Sequence, residues 1–333
     1  MRVCLIGCGD IANAAHGPAL ARLEKEGQVE LSGCCNRRYE KAAAFMGKYG
    51  FKSAWSDYVQ MLDSLQPDAV MVLLPVHTIA QVTIDVMKLG YPVIMEKPPG
   101  IDTDETDMLS KTAEELGIFN AVMFNRRSMP LVQRLKREIS GRCLDAISLE
   151  MCRFNRTGGE DFTTTIIHDL DCVSFLTGES YSELCFSYDE HPEAGYTNYF
   201  VSGRLSGGTH VDMRFLPAAG GVTERFGVYA HGSQFYLDLP VWSGTEYTEG
   251  FDCPGRLVGI ETQKKILDIN GEECSGCRDG FVLNGFYDED RILLSAIEKG
   301  EDSPYEIKSG RQSVEIMLAM RRRLAGLVWE NNI

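Results

Sequence analysis

Apolar residues fall along this chain in two rhythms. Through residue 123, short, mostly apolar runs alternate with stretches whose apolar positions recur every three or four residues. The runs are Arg2–Ile6, Val29–Cys35, Ala69–Leu74, Pro92–Met95 and Phe119–Met123, and a run as apolar as Ala69–Leu74 or Pro92–Met95 is what a strand covered on both faces requires. Between them the spacing predicts helices over Tyr39–Tyr49, Tyr58–Leu65, Ile79–Leu89 and Asp102–Leu116, the last with Asp102 or Thr103 as N-cap. Ser53-Ala54-Trp55 reads as a short extended piece. Pro18 predicts a break or restart near Gly17 in the helix after the first strand. Strand and helix in strict alternation mean a parallel, doubly wound sheet.

Beyond Gly141 the rhythm becomes that of strands. Asp145–Asn155, Leu184–Tyr188, Tyr196–Leu205, Thr209–Phe215, Arg225–Ala230 and Ser233–Asp238 predict one large, open, mostly antiparallel sheet. One helix, Thr164–Leu176, interrupts it, and residues 243–280, rich in Gly, Glu and Asp, read as long loops. Helices near Asn284–Glu298 and Gly310–Trp329 close the chain. The expected organisation is a Rossmann domain over residues 1–123 and an α+β domain over 124–333, with the terminal helix free to pack back on the first.

Composition narrows the functions. At 333 residues, 44% hydrophobic and 24% charged, the chain has the balance of a two-domain globular protein. A formal net charge of −15 argues against nucleic acid and against an anionic membrane surface. No apolar run reaches bilayer length, and MRVCLIG enters a strand with no cationic leader, so a cytoplasmic protein is expected. Eleven cysteines fit a reducing compartment. Cys4, Cys8, Cys34, Cys143, Cys152, Cys172 and Cys185 lie in or beside apolar runs and are expected as small core residues. Cys274-x-x-Cys277, with Cys253 upstream, is the only metal-like spacing; it lacks a second pair or a nearby His, so no metal is expected.

Two segments carry chemistry. Gly7-Cys8-Gly9-Asp10-Ile11-Ala12 follows the first strand directly and opens a helix, which is the context that gives a G-x-G-x-x-A loop its meaning. Gly7 permits the tight turn, Gly9 admits a pyrophosphate to the backbone, and Ala12 allows close helix–strand packing. The second strand ends in Asn36-Arg37-Arg38, without the carboxylate that binds the ribose diol of NAD and with arginines able to pair with a 2′-phosphate, which favours NADP. The second segment is Glu96-Lys97-Pro98-Pro99-Gly100. It ends a buried strand and delivers a carboxylate and an amine at the edge where open α/β sheets bind ligands. A lysine there is suited to acid–base work or to hydrogen-bonding a substrate oxygen.

Taken together, Gly7–Ala12, His16-Gly-Pro-Ala-Leu20, Asp68-Ala-Val70, Pro75, Glu96-Lys97-Pro98, Asn125-Arg126-Arg127 with Pro130, His168-x-x-Asp171 and Leu176-Thr-Gly178 resemble the glucose-fructose oxidoreductase/inositol dehydrogenase (Gfo/Idh/MocA) family over essentially the whole chain. The resemblance implies NAD(P)-dependent hydride transfer on sugars or polyols, and oligomers, homodimers or higher, built through the second domain's sheet. The open face of that sheet is expected to be apolar, as a covered face would be. The resemblance also places the roles of the family's active-site lysine and histidine on Lys97 and His168. Asp171, one turn after His168, is expected to orient its imidazole. Two departures stand out: Thr164 occupies the position of a family aspartate, with Asp161 the nearest upstream carboxylate, and Ile79 occupies that of a histidine, with His77 nearby.

The candidate site is therefore Lys97, His168 and Asp171 for catalysis. Gly7, Gly9, Asp10, Ile11, Asn36, Arg37, Arg38, Leu74, Pro75, His77, Glu96, Lys97 and Asn125 are expected around the dinucleotide, and Lys97, Arg126, Thr164 and His168 around a small-molecule substrate. The alternatives are an NAD-dependent glycoside hydrolase or lyase on the same fold, and a non-catalytic dinucleotide sensor.

Overall fold

Arg2–Ile6 (β1), whose Val3, Cys4 and Leu5 are fully buried, lies within a parallel sheet that the following elements complete. The computed structural model describes residues 1–159, 161–241 and 253–329. After β1 come a π-helical turn, Ala12–His16, and then Gly17–Lys25 (α1), so the helix restarts at the Gly17-Pro18 step as the proline requires. Next are Glu30–Cys35 (β2), Tyr39–Tyr49 (α2), Ala54–Trp55 (β3), Tyr58–Leu65 (α3), Ala69–Val72 (β4) and Val76–Lys88 (α4). Val93–Glu96 (β5), Thr103–Leu116 (α5) and Asn120–Met123 (β6) follow. Asp102 caps α5 by accepting from the Glu105 amide at 3.0 Å. The six strands pair in the order β3-β2-β1-β4-β5-β6, all parallel. All their carboxyl ends therefore share one edge, and the order reverses between β1 and β4. Helix α4 begins right after Pro75, earlier than its apolar spacing suggests, because that spacing only starts at buried Ile79.

The second sheet starts after Pro130–Ile139 (α6) with Leu144–Phe154 (β7), and Thr163–Thr177 (α7) interrupts it. Tyr181–His191 (β8), Tyr196–Leu205 (β9), His210–Ala219 (β10), Thr223–Ala230 (β11), Ser233–Asp238 (β12), Arg256–Glu261 (β13) and Lys264–Asn270 (β14) follow. Gly271–Ser275 (α8) and Gly280–Leu283 (α9) come next. Part of 243–280, expected as loop, is thus strand and short helix; the expectation for 243–252 falls outside the described residues. Phe286–Lys299 (α10), Arg311–Arg321 (α11) and Gly326–Val328 (β15) complete the chain. The terminal helix expected through Trp329 stops at Arg321, because Gly326–Val328 instead pairs with the edge strand β8.

The nine strands order as β14-β13-β12-β11-β7-β10-β9-β8-β15, antiparallel throughout except for β7 and β10. On one face Leu149, Met151, Val211, Met213, Phe215, Phe226 and Phe235 pack with Leu131 and Leu135 of α6 and Ile166 and Leu170 of α7. The other face, expected to be apolar, is not. Register places Phe200, Arg214, Glu150, Arg225, Asp238 and Arg256 in one cross-strand row, with signs alternating after Phe200. Arg214–Glu150 (3.6 Å) and Arg225–Asp238 (2.5 Å) pair within the row, and Arg256 pairs with Asp268 at 2.7 Å.

The chain divides into two compact units. Residues Met1–Asn125 and Phe286–Val314 form the first, and Arg126–Gly285 with the described residues from Glu315 form the second. All eleven cysteines are free thiols. Cys143 and Cys185 are exposed and Cys152 is half-buried, against the expectation of core positions, because each sits at a strand margin or on the polar face. Among the described residues no cluster of His, Cys, Asp and Glu is placed to hold a metal, and no helix is long and apolar enough to cross a membrane.

Candidate active site

The dinucleotide edge of the first unit is built by chain termination. Gly7 ends β1 at φ +107°, where a Cβ would lie 2.1 Å from the Leu73 carbonyl oxygen, so only glycine fits. Gly9 is the opposite case: a Cβ there would meet no atom within 4 Å. That empty space beside main-chain N–H groups at a helix start suits a pyrophosphate, and the residues present fit a dinucleotide. Asp10 and Ile11 lie exposed at the mouth of the loop, Ile11 being 37% exposed. Asn36, just past β2, accepts from the Cys8 amide at 3.4 Å and donates to the Arg38 carbonyl at 3.1 Å, tying the glycine loop to the segment that carries exposed Arg37 and Arg38. Leu74 and Pro75 follow β4, His77 lies exposed in the first turn of α4, and Ile79 is fully buried, a core residue. Asn125 follows β6 and is buried. Gly7, Gly9, Asn36, Leu74 and Asn125 each lie just past the carboxyl end of a strand of the parallel sheet.

Lys97 leaves β5 half-buried at that same edge. Glu96, expected beside the cofactor, is instead turned inward at 6% exposure. Its Oε1 takes a hydrogen bond from His16 Nε2 at 3.1 Å, and its Oε2 accepts from the Lys97 amide at 3.0 Å. The other side of the fully buried His16 ring is held by Asp290 of α10, with Nδ1 2.9 Å from Oδ1. Burial alone would lower the imidazole's pKa, but Asp290 and Glu96 outweigh it and hold His16 well above its ordinary value. Burial raises the Asp290 carboxyl against the pull of His16. No local pattern in the sequence points to Asp290, which lies 274 residues from His16.

In the second unit, His168 lies half-buried in α7, in the second turn. Asp171 does not serve it in the expected way. Its carboxylate receives two hydrogen bonds from Arg127, Nε to Oδ2 at 2.7 Å and Nη2 to Oδ1, in a pair with both partners buried. Burial nevertheless leaves the Asp171 pKa raised. Arg126, expected at the substrate, is equally engaged: Nε and Nη2 (2.8 Å) fork onto Glu224, with Asp169 Oδ1 2.9 Å from Nε. Arg153 adds a second cation to Glu224. Burial acts against Glu224, but Arg126 and Arg153 pull its pKa far down, whereas burial and Glu224 drive Asp169 well up. Thr164 Oγ1 donates to the Asp161 carbonyl at 2.9 Å. Asp161 itself accepts from the Thr163 amide and hydroxyl and pairs with Arg321 at 2.7 Å, so its carboxylate is already engaged at the start of α7. A cavity of about 270 Å³ in this unit is lined by Phe162, Tyr196, Tyr199, Glu190 and Arg323, with Arg323 Nε 2.7 Å from Glu190.

Residues 1–124 match the model of the oxidoreductase family with an NAD-binding Rossmann fold, GFO_IDH_MocA. The D-glucoside 3-dehydrogenase of Escherichia coli is 30% identical over 193 residues, 54% of each chain, so this chain spans about half the length of that relative. The myo-inositol 2-dehydrogenase of Thermotoga maritima is 23% identical over 97% of this chain and 96% of its own. Among solved structures, a UDP-N-acetylglucosamine 3-dehydrogenase from Acidithiobacillus ferrooxidans superposes with a TM-score of 0.79 at 19% identity, covering 98% of both chains. An oxidoreductase from Agrobacterium radiobacter in complex with NAD+, L-tartaric acid and magnesium gives 0.81 at 13% identity over 98% of both. At these identities the structural matches establish the fold.

Proposed function

We propose, from the match of residues 1–124 to the Gfo/Idh/MocA family model and from the likeness to a glucoside dehydrogenase, that the chain is a member of that family and an NAD(P)-dependent dehydrogenase of a ring hydroxyl on a sugar, glycoside or polyol. The observation that carries the reading is the presence, at one sheet edge, of a glycine loop with open space at Gly9 after β1 and a half-buried Lys97 just past β5, two strands away. The named activities of relatives support the substrate class: D-glucoside 3-dehydrogenase, UDP-N-acetylglucosamine 3-dehydrogenase and myo-inositol 2-dehydrogenase.

When bound, NAD(P) supplies the acceptor for the hydride leaving the carbinol carbon. Asp10, Ile11, Leu74, Pro75, His77 and Asn125 line its path along the edge. Lys97 hydrogen-bonds the reacting hydroxyl and takes up its proton as the carbonyl forms, and His168 is the acid–base residue of the second unit. Asn36, Arg37 and Arg38 favour a 2′-phosphate, so NADPH is expected to bind more tightly than NADH by roughly 1–3 kcal/mol. Fluorescence titration of both dinucleotides checks this: equal affinity would remove the preference, and alanines at Arg37 and Arg38 should abolish it. The activity itself is tested by following cofactor reduction with hexoses, hexosides, inositols and nucleotide sugars. One class turning over supports the reading, and no reduction across the panel counts against it.

A further inference from the structure

His16 belongs to a segment, His16-Gly-Pro-Ala-Leu20, that neither the glycine loop nor the lysine edge explains. We propose that His16, clamped by Asp290, is a positioning residue for Lys97, acting through Glu96. The inference rests on the reading of Lys97 as the acid–base group. The contacts form one line: Asp290 Oδ1 to His16 Nδ1 at 2.9 Å, His16 Nε2 to Glu96 Oε1 at 3.1 Å, and the Lys97 amide to Glu96 Oε2 at 3.0 Å. His16 and Asp290 are fully buried and Glu96 nearly so. A buried carboxylate is retained only when its lone pairs are satisfied, and two carboxylates facing one imidazole require the ring between them as a double donor. Phe286 sets the ring plane, meeting it edge-on with centroids 5.3 Å apart.

Glu96 is thereby fixed at both oxygens. One holds the ring, and the other holds the main-chain N–H of the residue proposed to do the chemistry. The bond falls where β5 ends and Pro98 and Pro99 turn the chain away, a point at which proline can give the ladder no donor. Misplacing a reacting group by about 1 Å can cost on the order of 100-fold in rate, so an anchor at this peptide acts on turnover more than on binding. The same cluster could instead only pin α10 to the sheet, and the two roles differ in what they predict for one amide.

The test uses His16→Asn and Asp290→Asn; the second preserves volume and an acceptor if the first folds poorly. Hydrogen exchange of the full chain is read amide by amide. The clamp predicts that protection at the Lys97 amide falls at least about tenfold in both variants, while the strand amides of Val93, Ile94 and Met95 hold theirs. On a substrate found by the panel, kcat should fall about 10- to 100-fold with KM and dinucleotide Kd within about twofold. Unchanged Lys97 protection, or a uniform loss across β5, overturns the proposal, as does an unaltered kcat. Wild-type protein inactive on every substrate would defeat the functional reading alone, because the exchange result decides the clamp without turnover.

Discussion

Lys97 stands one residue beyond a carboxylate already bound on both oxygens, so its side chain is the ionisable group that β5 presents at the dinucleotide edge. Lys97→Ala is expected to lower kcat by roughly 10²–10⁴-fold, the usual size of an acid–base contribution, with little change in cofactor affinity; steady-state kinetics beside a binding titration checks both. Arg127 and Asp171 predict a different phenotype. Removing one partner of a buried pair leaves the other charge uncompensated, so Arg127→Met should cost roughly 3–5 kcal/mol in chemical denaturation. Residue identities at the lysine edge were legible because a strand stop and a turn bracket Glu96-Lys97. The partners were not: Glu224 lies 98 residues from Arg126 and Asp171 44 from Arg127, and nothing local in the sequence signals a pairing made by tertiary packing.

The glycine loop makes an element-scale prediction, because its two glycines serve different ends. Gly7→Ala forces a Cβ onto the Leu73 carbonyl at positive φ and should destabilise the fold by more than about 2 kcal/mol. Gly9→Ala meets no neighbour and should leave stability within about 0.5 kcal/mol of wild type while weakening dinucleotide binding about tenfold or more. Thermal unfolding and cofactor titration on both variants separate the roles; equal losses of stability would contradict the assignment. Periodicity identified β4 and β5 well, since both are buried throughout and sit in apolar runs. It failed for β14, whose residues are half-exposed or exposed, and for the terminal segment. There, Gly326 lies so close to the Leu184 carbonyl that a Cβ would come within 2.5 Å, so pairing with β8 overrode helical spacing.

At the scale of the molecule, a buried imidazole with a raised pKa gives stability a pH dependence of definite sign. The folded state binds His16's proton more tightly than the unfolded chain, so its contribution is full below about pH 6.5 and is lost as pH rises through the elevated folded value. Urea denaturation at a series of pH values should show the advantage of wild type over His16→Asn shrinking above that point; a gap that grows with pH would contradict it. Assembly is expected as a homodimer or larger through the polar sheet face. Because that face carries an alternating charge row, rising salt should weaken the contact, and a monomer mass by light scattering at micromolar concentration and low salt would count against it. The account's central claim, dehydrogenation carried by Lys97 at a dinucleotide edge, is tested most directly by one comparison. Wild type and Lys97→Ala, matched for cofactor affinity, are followed for nicotinamide reduction on the hexose, hexoside and polyol panel. The account predicts turnover by wild type on at least one of these and a loss of roughly 100-fold or more in the variant, whereas equal turnover by the two proteins, or none by wild type, would contradict it.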